Sequence, residues 1–216
     1  MIPVVVCIKV GDKYGPEYVN RLAAMVERHT TIQHYFLCLT DDPTGLECAH
    51  APIGTDLPGW WSKLQLFNPE SALQAHRVFF LDLDTIIVGN IDLLLAYDGP
   101  FAILKDFYRP STFGSAIMSI APGFGQEIWT KFTPSVMQGY AGDQDWIYRC
   151  LFEVPVSRWQ DDYPGQIVSY KVHCQDGIPD DARIICFHGV PKPTDLAPDN
   201  ILRREWESYD RTPVTR

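Results

Sequence analysis

The sequence predicts an α/β fold built around a mostly parallel sheet. Three observations carry this: a continuous apolar run from Pro3 to Val10, a helical apolar pattern opening at Pro16, and a second apolar run from Tyr35 to Leu39. Strand, helix and strand in that order form a right-handed crossover, and sheets of this kind receive ligands at the carboxyl ends of their strands.

Each element has its own local reason. Pro3 to Val10 ends in Gly11-Asp12, as expected of a strand buried on both faces. From Pro16, the residues Tyr18, Leu22, Met25, Val26 and His29 recur at helical spacing, and Pro16 suits the first turn because its missing N–H leaves no bond unmade there. The strand from Tyr35 to Leu39 is closed by the turn formers Asp41-Asp42-Pro43. Gly45 to Gly59 has no period and reads as a loop or short edge strand, and Trp60-Trp61-Ser62-Lys63-Leu64 then opens a helix ending near Asn68-Pro69. Val78 to Leu81 is the most apolar strand, and it passes through Asp82-Leu83-Asp84 into a second apolar run, Thr85 to Val88. Strands follow near Phe101 to Leu104 and Ser115 to Ile120, helices around Gln126 to Phe132 and Gln144 to Phe152, and strands near Ile167 to Val172 and Arg183 to Phe187. Ile201, Leu202 and Trp206 predict a peripheral amphipathic helix and then a frayed end.

Composition bounds the class. With 216 residues, 46% hydrophobic and 21% charged, the chain fits one globular domain large enough to bury a core. No apolar run approaches the roughly 20 residues of a spanning helix, so no transmembrane segment is expected. The first residues carry neither a basic leader nor a cleavage signal, which predicts a cytoplasmic protein, peripheral contact with a membrane remaining open. The six cysteines stand singly, without zinc-knuckle spacing, and are expected as reduced thiols. A net charge of −9 argues against nucleic acid as the main partner, because that affinity comes mostly from phosphate neutralisation by Lys and Arg.

Asp82 and Asp84 are the first chemical signal. In an extended chain residues i and i+2 point to one side, so both carboxylates can converge on one oxygen-seeking cation at the mouth of the sheet. Acidic residues also end strands as ordinary turn formers. Phosphatases of the haloacid-dehalogenase kind likewise end an apolar strand in Asp-x-Asp, but they place Thr or Val four residues after the first Asp. Here that position is Ile86, and the threonine comes one residue early, at Thr85.

The later run Cys186-Phe187-His188-Gly189-Val190-Pro191-Lys192-Pro193 delivers His, Gly and Lys into a proline-punctuated loop. Together with Asp82-Leu83-Asp84 it resembles glycosyltransferase family 8 and its GT-A relatives, which include glycogenin and bacterial lipopolysaccharide galactosyltransferases. Thr194 stands where that family often has Trp. The resemblance implies a metal set of Asp82, Asp84 and His188 for Mn²⁺ or Mg²⁺, with Leu83 and Gly189 beside it and Lys192 on the donor diphosphate. It places Lys63 at the donor, and Ile8, Val10 and Tyr14 at the nucleotide, where the Tyr14 ring is expected to stack on the base. Asp106 and Ser115 fall where the family meets the donor sugar, Gly114-Ser115-Ala116 replacing an Asn-Ser-Gly. Asp143 and Gln144, in Gly142-Asp143-Gln144-Asp145-Trp146, fall on the acceptor side as catalytic candidates, while Asp143 as N-cap and Asp145 in the first turn also fit a plain acidic helix start.

The resulting expectation is a single-domain GT-A fold, a Rossmann-like α/β/α sandwich with a mixed, mostly parallel sheet, over residues 1–195, and a peripheral helix and tail over 196–216. The resemblance implies hexose transfer from a nucleoside diphosphate sugar, a UDP-sugar foremost, to a hydroxyl on a sugar, lipid-linked sugar or protein, with retention at the anomeric carbon. A non-catalytic nucleotide-binding module of the same fold is the alternative from a different functional class.

Overall fold

The computed structural model describes residues 1–211. β1 (Val4–Lys9) leads into α1 (Pro16–His29) and β2 (Tyr35–Thr40), which returns parallel to β1 with Cys7 opposite Cys38. The short edge strand β3 (His50–Pro52) lies parallel to β2 on its outer side. β4 (Val78–Leu81) lies parallel to β1 on the other side, and β5 (Thr85–Ile87) leaves this sheet to begin a second one. After α2 (Asp92–Leu95) come β6 (Phe101–Lys105) and β7 (Phe113–Ile120), and β7 inserts antiparallel between β4 and β6. The helices α3 (Gln126–Thr130), α4 (Val136–Gly139) and α5 (Asp143–Cys150) cover one face. β8 (Ser157–Arg158), α6 (Trp159–Asp162), β9 (Ile167–Ser169), α7 (Tyr170–His173), β10 (Ile184–Cys186) and α8 (Ile201–Glu207) complete the described chain.

The main sheet has seven strands in the order β3-β2-β1-β4-β7-β6-β8, with β7 the antiparallel member, and the small sheet has the order β5-β10-β9. The expected mixed, mostly parallel α/β/α sandwich is therefore observed. Strand alternation divides the core. Val5, Cys7, Phe79 and Leu81 face α1 and the small sheet, while Val4, Val6, Val78 and Phe80 face the segment 59–67 and helices α3 and α5.

Several elements differ from expectation for identifiable reasons. Gly59–Phe67 is a 3₁₀ helix and not an α-helix; Trp61 through Phe67 are all buried, so no single apolar stripe exists to select a 3.6-residue period. The strand expected to reach Val172 stops at Ser169, whose Oγ accepts the Val172 N–H at 3.2 Å and starts α7. The helix expected to reach Phe132 ends at Thr130, and the one expected to reach Phe152 spans Asp143–Cys150. α8 sits deeper than a peripheral helix: Leu202 and Trp206 are buried in the same core as α1, with the Trp206 ring 4.8 Å from that of Tyr18. The frayed end expected after this helix lies, beyond residue 211, outside the described residues.

Candidate active site

A pocket of about 560 Å³ opens beyond the carboxyl ends of β1 and β4. Every site residue proposed from sequence lines it, from Ile8, Val10 and Tyr14 through Asp82, Leu83 and Asp84 to Gly189 and Lys192. Two of its walls follow from strand geometry. The alternation of β4 turns Asp82 toward the segment 59–67, and Leu83 packs into the opposite core. On β7 the register with β6 slips between Ile103 and Leu104, and the irregularity frees Ser115 for the pocket.

Lys63 organises the floor. Its buried Nζ donates to Asp82 Oδ2 at 2.8 Å and to Ser115 Oγ at 3.2 Å, and lies 4.0 Å from Asp143 Oδ2. Burial alone would depress this ammonium, but the carboxylates of Asp82 and Asp143 outweigh it and hold its pKa above the ordinary lysine value. Burial pushes the Asp82 carboxyl up, Lys63 opposes this, and Asp84 adds to it. At 2.8 Å the pair is an ionised salt bridge at neutral pH. Lys63 is thus an internal counter-ion and not a solvated surface lysine.

Asp84 is held from the other side. Its Oδ2 accepts from the Tyr14 hydroxyl at 3.0 Å and from Lys192 Nζ, which also donates to the Phe187 carbonyl at 3.1 Å. Burial and Asp84 together raise the Tyr14 phenol well above its ordinary range, so it remains a hydrogen-bond donor. The Tyr14 ring lies tilted against Tyr18 at 4.8 Å, with the ammoniums of Lys13 and Lys192 at 5.0 and 5.7 Å from its centroid.

The His188 side chain is engaged by its neighbours in the pocket wall. Its ring stacks on Phe107 at 5.3 Å, meets the edge of Tyr108 at 5.2 Å, and places Nε2 2.6 Å from Ser169 Oγ. Among the described residues no three His, Cys, Asp or Glu side chains gather as a metal-ligand cluster. Asp82, Asp84 and His188 line one pocket but are not preassembled, because Lys63 and Lys192 neutralise the two carboxylates and Ser169 holds the imidazole. The donor chemistry still fits Mn²⁺ or Mg²⁺: two carboxylates stand two residues apart, and burial, with Lys171 adding to it, lowers the His188 pKa and favours the neutral form that ligation requires.

On the far wall Asp106 has two roles. Oδ1 accepts the N–H groups of Tyr108 and Arg109 at 2.9 and 2.8 Å and so folds the loop after β6, while Oδ2 accepts from Gln144 Nε2 at 2.9 Å. Burial would raise this carboxyl, but the N–H donors of Arg109 and Tyr108 and the Gln144 amide prevail and lower it. Arg109 also donates to Asp145 at 3.1 Å, tying the same loop to the first turn of α5. Asp143 is 4% exposed, and among the described residues its Oδ2 is buried without a hydrogen-bond partner.

Residues missed from sequence complete the mouth: Trp60, Phe107, Tyr108 and Arg109. Trp60 is 54% exposed and lies over Gly142, where a Cβ would come within 3.2 Å of its indole Nε1. The double tryptophan at 60–61 was an available signal, one ring buried and the other left at the surface. Phe107, Tyr108 and Arg109 lie on an aperiodic loop, which offers no such signal.

No protein-family model and no curated protein matches the sequence. Solved structures of similar fold include the glycosyltransferase GlyE of Streptococcus pneumoniae TIGR4, with a TM-score of 0.67 and 16% identity over 97% of this chain and 60% of that one. The galactosyltransferase LgtC, solved with donor and acceptor sugar analogs, gives a TM-score of 0.66 and 13% identity over 99% of this chain and 97% of LgtC. The bifunctional glycosyltransferase WbbM gives 0.64 and 14%, over 98% of this chain and 50% of its own. The chain therefore has the GT-A fold of these glycosyltransferases, matching LgtC over nearly its whole length and GlyE and WbbM over 60% and 50% of theirs.

Proposed function

We propose that this protein transfers a hexose from a nucleoside diphosphate sugar, most simply a UDP-sugar, to a hydroxyl acceptor, with retention at the anomeric carbon. The observation that carries this reading is the meeting, in one pocket, of candidate residues drawn from Ile8 to Lys192. A fold shared with LgtC, solved with donor and acceptor sugar analogs, supports it.

In this reading Ile8, Val10 and Tyr14 receive the nucleoside, and Asp106 and Ser115 meet hydroxyls of the donor sugar. Asp82 and Asp84, with His188, would hold a divalent cation that offsets the charge of the leaving diphosphate. Lys63 keeps Asp82 ionised and oriented. Lys192, now on Asp84, has the charge and position to turn to the phosphates as negative charge develops there. Gln144 is held by Asp106, and Asp143 Oδ2, which has Lys63 at 4.0 Å but no hydrogen bond among the described residues, can accept one from an incoming hydroxyl. The bond from the anomeric carbon to the phosphate oxygen breaks, the acceptor oxygen bonds to the same face, and its proton passes to the departing phosphate. The acceptor belongs to the class of sugar, lipid-linked sugar or protein hydroxyls. Among the described residues no helix is long and apolar enough to cross a membrane.

Thermal unfolding with UDP tests the reading. Ligand at about 100 times its dissociation constant stabilises by roughly 2.7 kcal/mol, which for a domain of this size raises the midpoint by ~5–10 °C. The expected result is a clear rise with UDP and Mn²⁺ and a smaller one with UDP and EDTA. Equal rises would remove the metal assignment, and no rise in either would remove the nucleotide.

A further inference from the structure

Lys171 is a cation without a stated task. It lies on α7, half-buried, at the wall formed by the His188 loop. A Cβ built on Gly189 would come within 3.1 Å of its Nζ, so the ammonium rests directly against the backbone of that pocket-lining glycine. Gly189 has φ +71, where a side chain would be strained in any case, so the absence of a Cβ both permits this loop and leaves room for the ammonium.

The surroundings hold Lys171 in place without neutralising it. Ser169 joins His188 at 2.6 Å, the Tyr170 ring stacks on Phe187 at 4.5 Å, and the His173 ring meets the edge of Phe107 at 5.8 Å. The segment that carries Lys171 is therefore bound to the His188 loop ahead of the lysine and to Phe107, on the loop between β6 and β7, beyond it. Among the described residues the ammonium has neither a hydrogen bond nor a carboxylate partner; it approaches the Tyr108 ring, 5.9 Å from the centroid, and its charge acts on the His188 imidazole. Of the lysines that line the pocket itself, Lys63 is matched to Asp82 and Lys192 to Asp84, while Lys13 lies over the Tyr14 ring at 5.0 Å. In a chain of net charge −9, an ammonium without a carboxylate partner beside an open pocket offers a local point of attraction for an anion.

We infer that Lys171 is a second phosphate-binding residue, contacting the diphosphate of the nucleotide donor beside Gly189. This rests on the nucleotide reading above and extends it to a residue outside the motifs that led there. Two ammoniums, one released from Asp84 and one already free, then share the charge of the diphosphate, and the free one provides an attractive field before the other moves.

The test is titration of UDP and of uridine, in Mn²⁺ buffer, into wild type, Lys171→Ala, Lys171→Arg and Lys192→Ala, with each variant's melting temperature measured alongside. Loss of one charge-assisted contact predicts that Lys171→Ala weakens UDP about tenfold or more and uridine by less than about twofold, with Lys171→Arg retaining most of the affinity. If Lys171→Ala binds UDP as wild type does while Lys192→Ala does not, the Lys171 assignment is overturned and the nucleotide site stands. Equal losses of UDP and uridine would make Lys171 a support of the loop and overturn the assignment too. Wild type that binds neither ligand would overturn the nucleotide reading itself, and this proposal with it.

Discussion

Removing the Lys63 ammonium should expose how much of the pocket's stability depends on one internal counter-ion. Lys63→Met keeps the length and apolar stem of the side chain and deletes the charge that lies 2.8 Å from Asp82 and 4.0 Å from Asp143. Breaking a buried pair by removing one partner costs about 3–5 kcal/mol, because the remaining charge is left uncompensated. The Asp82 side chain keeps 26% of its surface and Asp143 only 5%, so water relieves the first and not the second, which places the cost near the lower end, about 3 kcal/mol at pH 7. For a domain of this size that lowers the melting midpoint by ~6–12 °C. The sign with pH follows from linkage. Burial already raises the folded-state pKa of Asp82, so this group contributes stability at pH below its unfolded value and loses it as pH rises through its folded value. Without Lys63 that folded value rises further, so the penalty of the variant should shrink as pH falls from 7 toward 4. Urea unfolding of both proteins across this range measures it. A variant within about 1 kcal/mol of wild type at pH 7, or a penalty that grows on acidification, would refute the counter-ion argument.

Two further outcomes concern the chemistry. Asp143→Asn, which keeps the shape of the side chain, should lower turnover by ~100-fold while leaving UDP affinity nearly unchanged, since the unpartnered Oδ2 is assigned to the acceptor side; kinetics alongside UDP titration decide this, and a large loss of UDP binding in a folded variant would move Asp143 to the donor. An α-linked donor should yield an α-linked product, read from the anomeric proton coupling of the first product formed, and a β-linked first product would replace retention with direct inversion and point to Asp143 or Asp145 as the base.

The opening strand, helix and strand, the apolar strand Val78–Leu81 and the carboxylates after it were legible from the sequence because each rests on local periodicity. Apolar residues at spacing 2 or 3.6 choose their own secondary structure, and a strand running straight into Asp82-Leu83-Asp84 puts those carboxylates at the sheet edge wherever the rest of the chain goes. The ordered motifs then identified which later residues would share the pocket. Only the tertiary structure decided how those residues are engaged. Lys63 meets Asp82 across 19 positions, Lys192 meets Asp84 across 108, and the hydroxyl of Tyr18 meets Thr194 across 176. Pairings at such separations leave no periodic trace, so a lysine on a solvated helix and a buried counter-ion look alike in the sequence. The same holds for Ser169, at the end of β9, and Lys171, on α7 just after it, which reach the His188 loop because β9 pairs with β10. Trp206 has a helical neighbourhood that reads as peripheral, yet it lies fully buried against Tyr18, because the depth at which an amphipathic helix docks is set by the cavity its partners leave and not by its own pattern.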